Sequence, residues 1–294
     1  MKSGFVSILG RPNAGKSTLL NALVGSKIAI TSDKPQTTRQ VIQGVVNRAD
    51  AQVVFLDSPG IHQPLTALHR RMMREVRAAL EARDLLLLLA DATAPFGEDD
   101  GRAVEMVRSC RAAASVAFNK IDLLRDKGAL LPLIEKYRSL HSFADYFPIS
   151  ALTGEGVEAL LAGLIQALPE GEPYFPPDHL TDQPLRFLAA ELIREQVLRQ
   201  TQREVPHAVA VGIDQFQEGG RLVRIAATIY VEREGQKGII IGSRGGRLKE
   251  VGTLARREME ALLGRQVLLQ LHVKVREDWR RSESFLAALD WRRQ

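Results

Sequence analysis

The 294-residue chain has a single cysteine, Cys110, which excludes an intramolecular disulfide and a cysteine-built metal cluster. Long hydrophobic runs are missing as well: none approaches the ~18 residues that a membrane-crossing helix needs. The N-terminus runs straight into a strand pattern, with no charged region, apolar segment and cleavage site of a secretory leader. These absences lead us to expect a cytoplasmic protein. Acid is scarce in one part only. Residues 185–294 carry 20 lysines and arginines against 14 acids, while residues 1–184 carry 20 against 21. The whole basic excess of +5 therefore lies in the C-terminal part, which implies an anionic partner there or, failing that, a solvated basic face.

The chain exceeds the ~250 residues at which a single core stops growing, so two domains are expected. The apolar fraction of 45% and the charged fraction of 26% are those of an ordinary globular protein. Gly10-Arg11-Pro12-Asn13-Ala14-Gly15-Lys16-Ser17 reads G-x-x-x-x-G-K-S, between the apolar run Phe5–Leu9 and the apolar-rich stretch Thr18–Val24. Strand, glycine-bounded loop and helix is the setting of a phosphate-binding loop. Its backbone N–H groups, from Asn13, Ala14 and Gly15 through Thr18, form an anion nest at a helix N-terminus. Lys16 reaches β- and γ-phosphate oxygens, and the Ser17 hydroxyl can ligate Mg²⁺. A nucleoside triphosphate is the implied ligand.

Strand signals recur at Phe5–Leu9, Val41–Val46, Val53–Leu56, Leu85–Ala90, Ser115–Asn119 and Tyr146–Ile149. Helical patterns fall between most of them, at Lys16–Val24, Leu65–Ala82, Gly101–Ala112, Leu131–Leu140 and Gly156–Ala167. The alternation predicts an α/β, doubly wound, mostly parallel sheet with ligands at the carboxyl ends of its strands. The remaining motifs fall at those ends. Asp57-Ser58-Pro59-Gly60 can supply an aspartate to the Mg²⁺ shell and the Gly60 N–H to a γ-phosphate. In Asn119-Lys120-Ile121-Asp122, the Asp122 carboxylate can accept from guanine N1–H and its 2-amino group, donors that adenine does not offer there. Asn119 and Lys120 would brace that loop and flank the base, and Ser150-Ala151-Leu152 would offer a backbone N–H to guanine O6. An ATP-using kinase is disfavoured, since Asp122 fits guanine and no second catalytic acid is evident.

These four elements together resemble the Ras-like GTPases. The resemblance places a first switch at Ile30–Arg39, where Thr38 would add a hydroxyl to Mg²⁺ and an N–H to the γ-phosphate. It implies catalytic roles for Lys16, Thr38 and Gly60. Ile61 stands where many such proteins have a water-orienting glutamine, and an aliphatic side chain cannot hydrogen-bond water. Asn13 is therefore a candidate to hold K⁺ against the phosphates; an ordinary turn residue is the alternative reading.

Leu168–Asp178 is rich in proline, glycine and acid and reads as a connection. We expect a first domain over 1–170, a linker over 171–184 and a smaller α+β domain over 185–294. Its order is α-β-β-α-α-β-α: a helix over Leu185–Arg203 with one apolar face, strands Val205–Phe216 and Leu222–Glu232, a helical segment ending at Ile241, a helix over Arg247–Leu263, a strand Val267–Val275 and a helix from Asp278. Gly242-Ser243-Arg244-Gly245 supplies G-x-x-G between two helical segments and resembles the loop of type II KH domains, which clamps about four nucleotides of single-stranded RNA. Ile241, Gly242, Ser243, Arg244, Gly245, Arg247, Leu248 and Lys249 are its candidate RNA contacts. Lys274, Arg276, Arg280 and Arg281 either extend the basic face or are solvated surface charge.

A Ras-like half, an apolar residue after D-x-x-G and a KH-like module together resemble the Era family of bacterial GTPases, related to the TrmE–Era–EngA group. Ser58 departs mildly from the threonine usual there. The resemblance implies GTP/GDP and Mg²⁺ as cofactors, the 3′ end of 16S ribosomal RNA as ligand and no DNA. It further implies a role in assembly of the small, 30S, ribosomal subunit and peripheral association with the inner face of the cell membrane. A competing reading makes the C-terminal half a membrane- or protein-docking module, through an amphipathic surface helix over Asp278–Gln294 with Trp279, Phe285, Leu286, Leu289 and Trp291; packing of the same residues on their own domain is the favoured alternative.

Overall fold

The computed structural model describes residues 1–61, 66–110 and 112–290. The chain divides into two compact units, one of Met1–Ala29, Thr38–Pro64 and Arg71–Asp182, the other of Ile30–Thr37, Leu65–Arg70 and Gln183–Gln294.

The first unit is built on a six-stranded sheet: β1 (Lys2–Leu9), β2 (Ile42–Asn47), β3 (Ala51–Asp57), β4 (Leu85–Asp91), β5 (Ala114–Asn119) and β6 (Tyr146–Pro148). The spatial order is β2-β3-β1-β4-β5-β6, with β2 antiparallel to β3 and all other pairs parallel. The helices are α1 (Lys16–Val24), α2 (Ala67–Glu81), α3 (Glu98–Ser109), α4 (Leu130–Leu140) and α5 (Val157–Ala167). The expected start of α2 at Leu65 lies outside the described residues. Every residue of β4 is buried, as its leucine run predicts for a central parallel strand. Each of those leucines contributes about 1.5–3 kcal/mol of burial relative to an exposed position. The sheet thus fixes where each strand ends, and the loops after β1, β3, β4 and β5 inherit that precision.

The proline-rich stretch is not slack. The buried Gln52 side chain accepts from the N–H groups of Tyr174 (2.7 Å) and Phe175 (2.9 Å) and donates to Phe175 O (2.8 Å). Val45 N–H donates to Leu180 O, and Thr181 Oγ1 to Gln43 O. The segment therefore runs docked along β2 and β3 as far as the end of the first unit.

The second unit contains α6 (Leu185–Gln200), β7 (Ala210–Glu218), β8 (Leu222–Val231), α7 (Glu234–Ile241), α8 (Gly246–Leu263), β9 (Gln266–Val275) and α9 (Glu283–Ala288), in the expected α-β-β-α-α-β-α order. Its sheet order is β7-β8-β9, antiparallel then parallel. The period-two residues Val223, Ile225, Ala227, Ile229 and Val231 of β8 form the centre of its core.

Two expectations are corrected here. Helix α6 does not bury a single apolar stripe: Arg194, Glu195 and Gln196 are as buried as Ile193 and Val197. The reason lies in what covers them. Thr31 donates its N–H (3.0 Å) and hydroxyl (3.3 Å) to Glu195 Oε1, and Arg194 donates to Thr37 O, while Gln196 reaches Glu258 on α8 (2.9 Å). Ile30 joins the same core. The terminal segment is not one long helix. A short 3₁₀ turn over Trp279–Arg281 leads to α9, capped by Ser282 Oγ, which accepts from Phe285 N–H (3.3 Å). Trp279, Phe285 and Leu286 are buried, with Trp279 Nε1–H donating to Ala208 O at 2.8 Å, so these apolar residues serve the unit's own core. Trp291 lies outside the described residues.

Candidate functional site

In the first unit the chain leaves β1 at Leu9, turns through residues 10–15 and enters α1 at Lys16. Gly15, at the helix N-cap, has φ +99°, and a Cβ there would fall 2.2 Å from Asn119 Nδ2. Only glycine fits both the conformation and the space. Asn13 is also left-handed, at φ 62°, a conformation that asparagine tolerates better than most residues. Lys16 is buried and its ammonium donates to the carbonyls of Gly10 and Arg11, both at 3.1 Å. Burial lowers its pKa, with Asp57 pulling the other way.

Three oxygens from three elements meet beside it. Ser17 Oγ on α1 donates to Asp57 Oδ2 at the end of β3 (2.6 Å) and lies 2.8 Å from Thr38 Oγ1. Asp57 is fully buried, and its Oδ1 has no hydrogen-bond partner among the described residues. Burial pushes this carboxyl up to about 6, against the pull of Lys16 and the Ser17 hydroxyl. A buried carboxylate with one orphaned oxygen, beside two hydroxyls, is a hard-oxygen set that suits Mg²⁺. Ile61 is buried in the core cluster with Leu9, Val76 and Leu80, and so offers the site nothing polar.

The loops after β5 and β6 are tied to the phosphate loop by one side chain. Asn119 Nδ2 donates to Ala14 O (2.8 Å), and its Oδ1 accepts from Ala151 N–H (2.8 Å). Ser150 is buried, its N–H donating to Glu155 O and its Oγ accepting from Thr153 N–H. Of the S-A-L trio, then, the first two N–H groups are already engaged, that of Ser150 within the loop and that of Ala151 by Asn119. Asp122 stands exposed on the 3₁₀ turn Ile121–Leu123, and Lys120 is left-handed at φ 72°. Sequence reasoning missed Asp91 at the end of β4, which accepts from Lys120 Nζ at 2.6 Å. The one available signal was an acid closing an otherwise apolar run.

In the second unit a groove of about 390 Å³ runs along α8 and β9, lined by Gly245, Leu248, Lys249, Gly252, Thr253, Arg256, Leu269 and Leu271. Three of the sequence-predicted contacts line it: Gly245, Leu248 and Lys249. Ile241, Gly242, Ser243 and Arg244 do not, although they form the turn at its end. Gly242, at φ +72°, has no room for a Cβ, which would meet Arg247 Cβ at 2.8 Å. Arg247 folds back to donate to Ile239 O and closes the end of α7. Gly252, Thr253 and Arg256 were missed, though they continue the Gly245–Leu248 face at helical spacing. Of the suggested basic extension, Arg280 is paired with Glu232 (2.5 Å) and Arg276 lies over the Phe285 ring (4.2 Å), while Lys274 and Arg281 are exposed.

Comparison with known proteins finds one family over the N-terminal part of the chain and another over the C-terminal part. The family of "50S ribosome-binding GTPase" domains matches residues 5–120, and the KH domain family matches residues 204–280. Over its whole length the chain is 50% identical to the GTPase Era of Geobacter metallireducens, covering 99% of this chain and 98% of that one. The chain belongs to the Era family of GTPases. The Era of Staphylococcus haemolyticus is 46% identical over 99% of this chain and 97% of its own. Among solved structures, a variant of Aquifex aeolicus Era bound to GDP·AlF4⁻ superposes with a TM-score of 0.95 at 42% identity, covering 98% of this chain and 99% of that one. An Era in complex with MgGDPNP and nucleotides 1506–1542 of 16S ribosomal RNA gives the same score and identity, covering 98% of each chain.

The Era-family phosphate loop makes one substitution diagnostic. Gly15→Ala introduces left-handed strain and pushes Asn119 off Ala14. Strain of about 1–3 kcal/mol plus a lost buried hydrogen bond predicts GDP and GTP affinities lower by a factor of ~10² or more, read by titration with fluorescent nucleotide.

Proposed function

We propose that the chain is a GTP-hydrolysing switch whose first domain, over 1–170, takes GTP and whose KH domain, over 185–294, binds the 3′ end of 16S ribosomal RNA during small-subunit assembly. The observation that carries the nucleotide half is the buried Asp57–Ser17–Thr38 set with its orphaned carboxylate oxygen. In this reading Ser17, Thr38 and Asp57 would hold Mg²⁺, which would offset charge developing in phosphoryl transfer. Lys16 leaves the Gly10 and Arg11 carbonyls for the phosphate oxygens. The N–H groups of residues 13–18 cradle the phosphates, and the Gly60 N–H meets the γ-phosphate. Asp122 accepts from the guanine edge while Asn119, Lys120 and the Ser150–Leu152 loop hold the base.

With Ile61 sunk in the core, no side chain at that position can orient water. We assign Asn13 the task of holding K⁺ against the phosphates in its place. Replacing Asn13 by alanine should remove the stimulation of hydrolysis by K⁺ over Na⁺; a variant that responds as the parent does would sink the idea.

For the RNA half, support comes from the groove beside Gly245 and from the 16S nucleotides in the related Era complex. Bases would lie against Leu248, Leu269 and Leu271, with Lys249, Arg256 and Arg244 facing phosphates. A cytoplasmic location fits this reading, and no described helix is long and apolar enough to cross a membrane. The membrane-docking alternative is weakened by the burial of Trp279, Phe285 and Leu286. Replacing Gly242 and Gly245 together by aspartate should abolish binding of a short labelled copy of the 16S 3′ end at fixed salt while sparing nucleotide affinity. Unchanged RNA binding would remove the KH loop from the account.

A further inference from the structure

The mouth of the nucleotide site rests on a charge cluster of which only Lys120 has a nucleotide-contacting role above. Asp91 closes β4, pairs in register with Asn119 of β5, and is largely buried. A carboxylate in that position is tolerated only if its lone pairs are filled. They are filled from three directions. Oδ1 accepts from Thr93 N–H (2.9 Å) and Thr93 Oγ1–H (2.6 Å), and Oδ2 accepts from Lys120 Nζ (2.6 Å) and faces Arg11 Nη2 (3.4 Å).

Lys120 belongs to the guanine-loop motif and Arg11 to the phosphate loop, so one carboxylate oxygen joins the two loops. The link goes deeper. Arg11 Nη1 also meets Asp100 Oδ2 at 3.3 Å, and that oxygen accepts from Gly97 N–H (2.9 Å). Asp100 Oδ1 accepts from the hydroxyl of Tyr137, which is buried among Phe96, Phe118 and Phe143. Arg11 is thus balanced by two acids and turned into a strut, which leaves Lys16 as the phosphate loop's own cation. Lys120, left-handed in its backbone, has its long side chain fixed at the far end. Lysine is among the side chains that lose most freedom on ordering, and fixing it in advance removes that cost from binding.

We propose that Asp91 is a positioning residue for nucleotide binding, holding Lys120 and Arg11 so that the guanine loop and the phosphate loop grip one nucleotide in a fixed register. This rests on the reading of Lys120 and Asp122 as the guanine-contacting loop.

The test uses the full-length protein loaded with fluorescent GDP and chased with excess unlabelled GDP in stopped flow. Loss of hydrogen bonds to a charged group predicts that Asp91→Asn releases GDP faster by about 10- to 100-fold, with a GTP analogue affected alike. Guanine preference over adenine is retained, since Asp122 is untouched. A release rate within twofold of the parent, whether or not the melting temperature falls, overturns the proposal. Should Asp91→Asn fail to fold, Arg11→Gln and Lys120→Met are compared singly and together. Because both act through the same carboxylate, non-additive effects on release support the proposal and additive ones overturn it. Asp122→Asn is the separate control on the underlying reading: its amide should favour xanthine, which has a carbonyl where guanine has an amino group. If guanine preference survives that change, the guanine-pocket reading fails, independently of what Asp91→Asn shows.

Discussion

A buried carboxylate is the constraint on which the rest of the molecule turns. Asp57 sits at the end of β3 with no solvent to share its charge, and burial drives its pKa up to about 6 against the pull of Lys16 and the Ser17 and Thr38 hydroxyls. Ser17 and Thr38 fill one side of it, while Oδ1 has no partner among the described residues. In the reading proposed above a cation would complete this group, which is a physical reason for nucleotide and Mg²⁺ to bind cooperatively. The parallel sheet makes this workable, because β1, β3, β4 and β5 end at one edge and deliver Gly10, Asp57, Asp91 and Asn119 there with little freedom to adjust.

Thr38 is also where the chain changes allegiance. Thr38 belongs to the first unit and Thr37 to the second, and within the second unit Thr31 and Thr37 are held by Glu195 and Arg194 of α6. Nothing but one peptide bond separates a residue that answers to the phosphate site from a segment embedded beside the KH sheet. A ligand moves an equilibrium only through differential affinity for its states. On the reading proposed above, capture or release of the Thr38 hydroxyl would act on residues 30–37 through the Thr37–Thr38 peptide bond.

Much of this was legible in the sequence where the chemistry is local. G-x-x-x-x-G-K-S after a strand fixes its own turn, the leucine run of β4 announces burial on both faces, and the alternation in β8 predicts its inward side. What stayed hidden depends on partners distant in the chain. The polar residues Arg194 and Glu195 look like a solvated helix face until Ile30–Thr37 is seen to cover them. Asp91 looks like a turn acid, because Arg11 and Lys120 lie 80 and 29 residues away. The C-terminal aromatics fit either a surface helix or their own domain's core, and the partner that decides, Ala208 O for Trp279, lies 71 residues away. In the KH-like groove the glycine loop was visible, but its floor on β9 and its extension to Arg256 emerge only when the helix and strand are packed.

The measurement that bears most directly on this account is RNA affinity as a function of nucleotide. A labelled single-stranded copy of the 16S 3′ end would be titrated with full-length protein at one stated salt concentration, with Mg²⁺ and either a non-hydrolysable GTP analogue or GDP. The account predicts tighter binding with the analogue. Equal affinity in the two states would contradict it, leaving a GTPase and an RNA-binding domain that share a chain without acting as a switch.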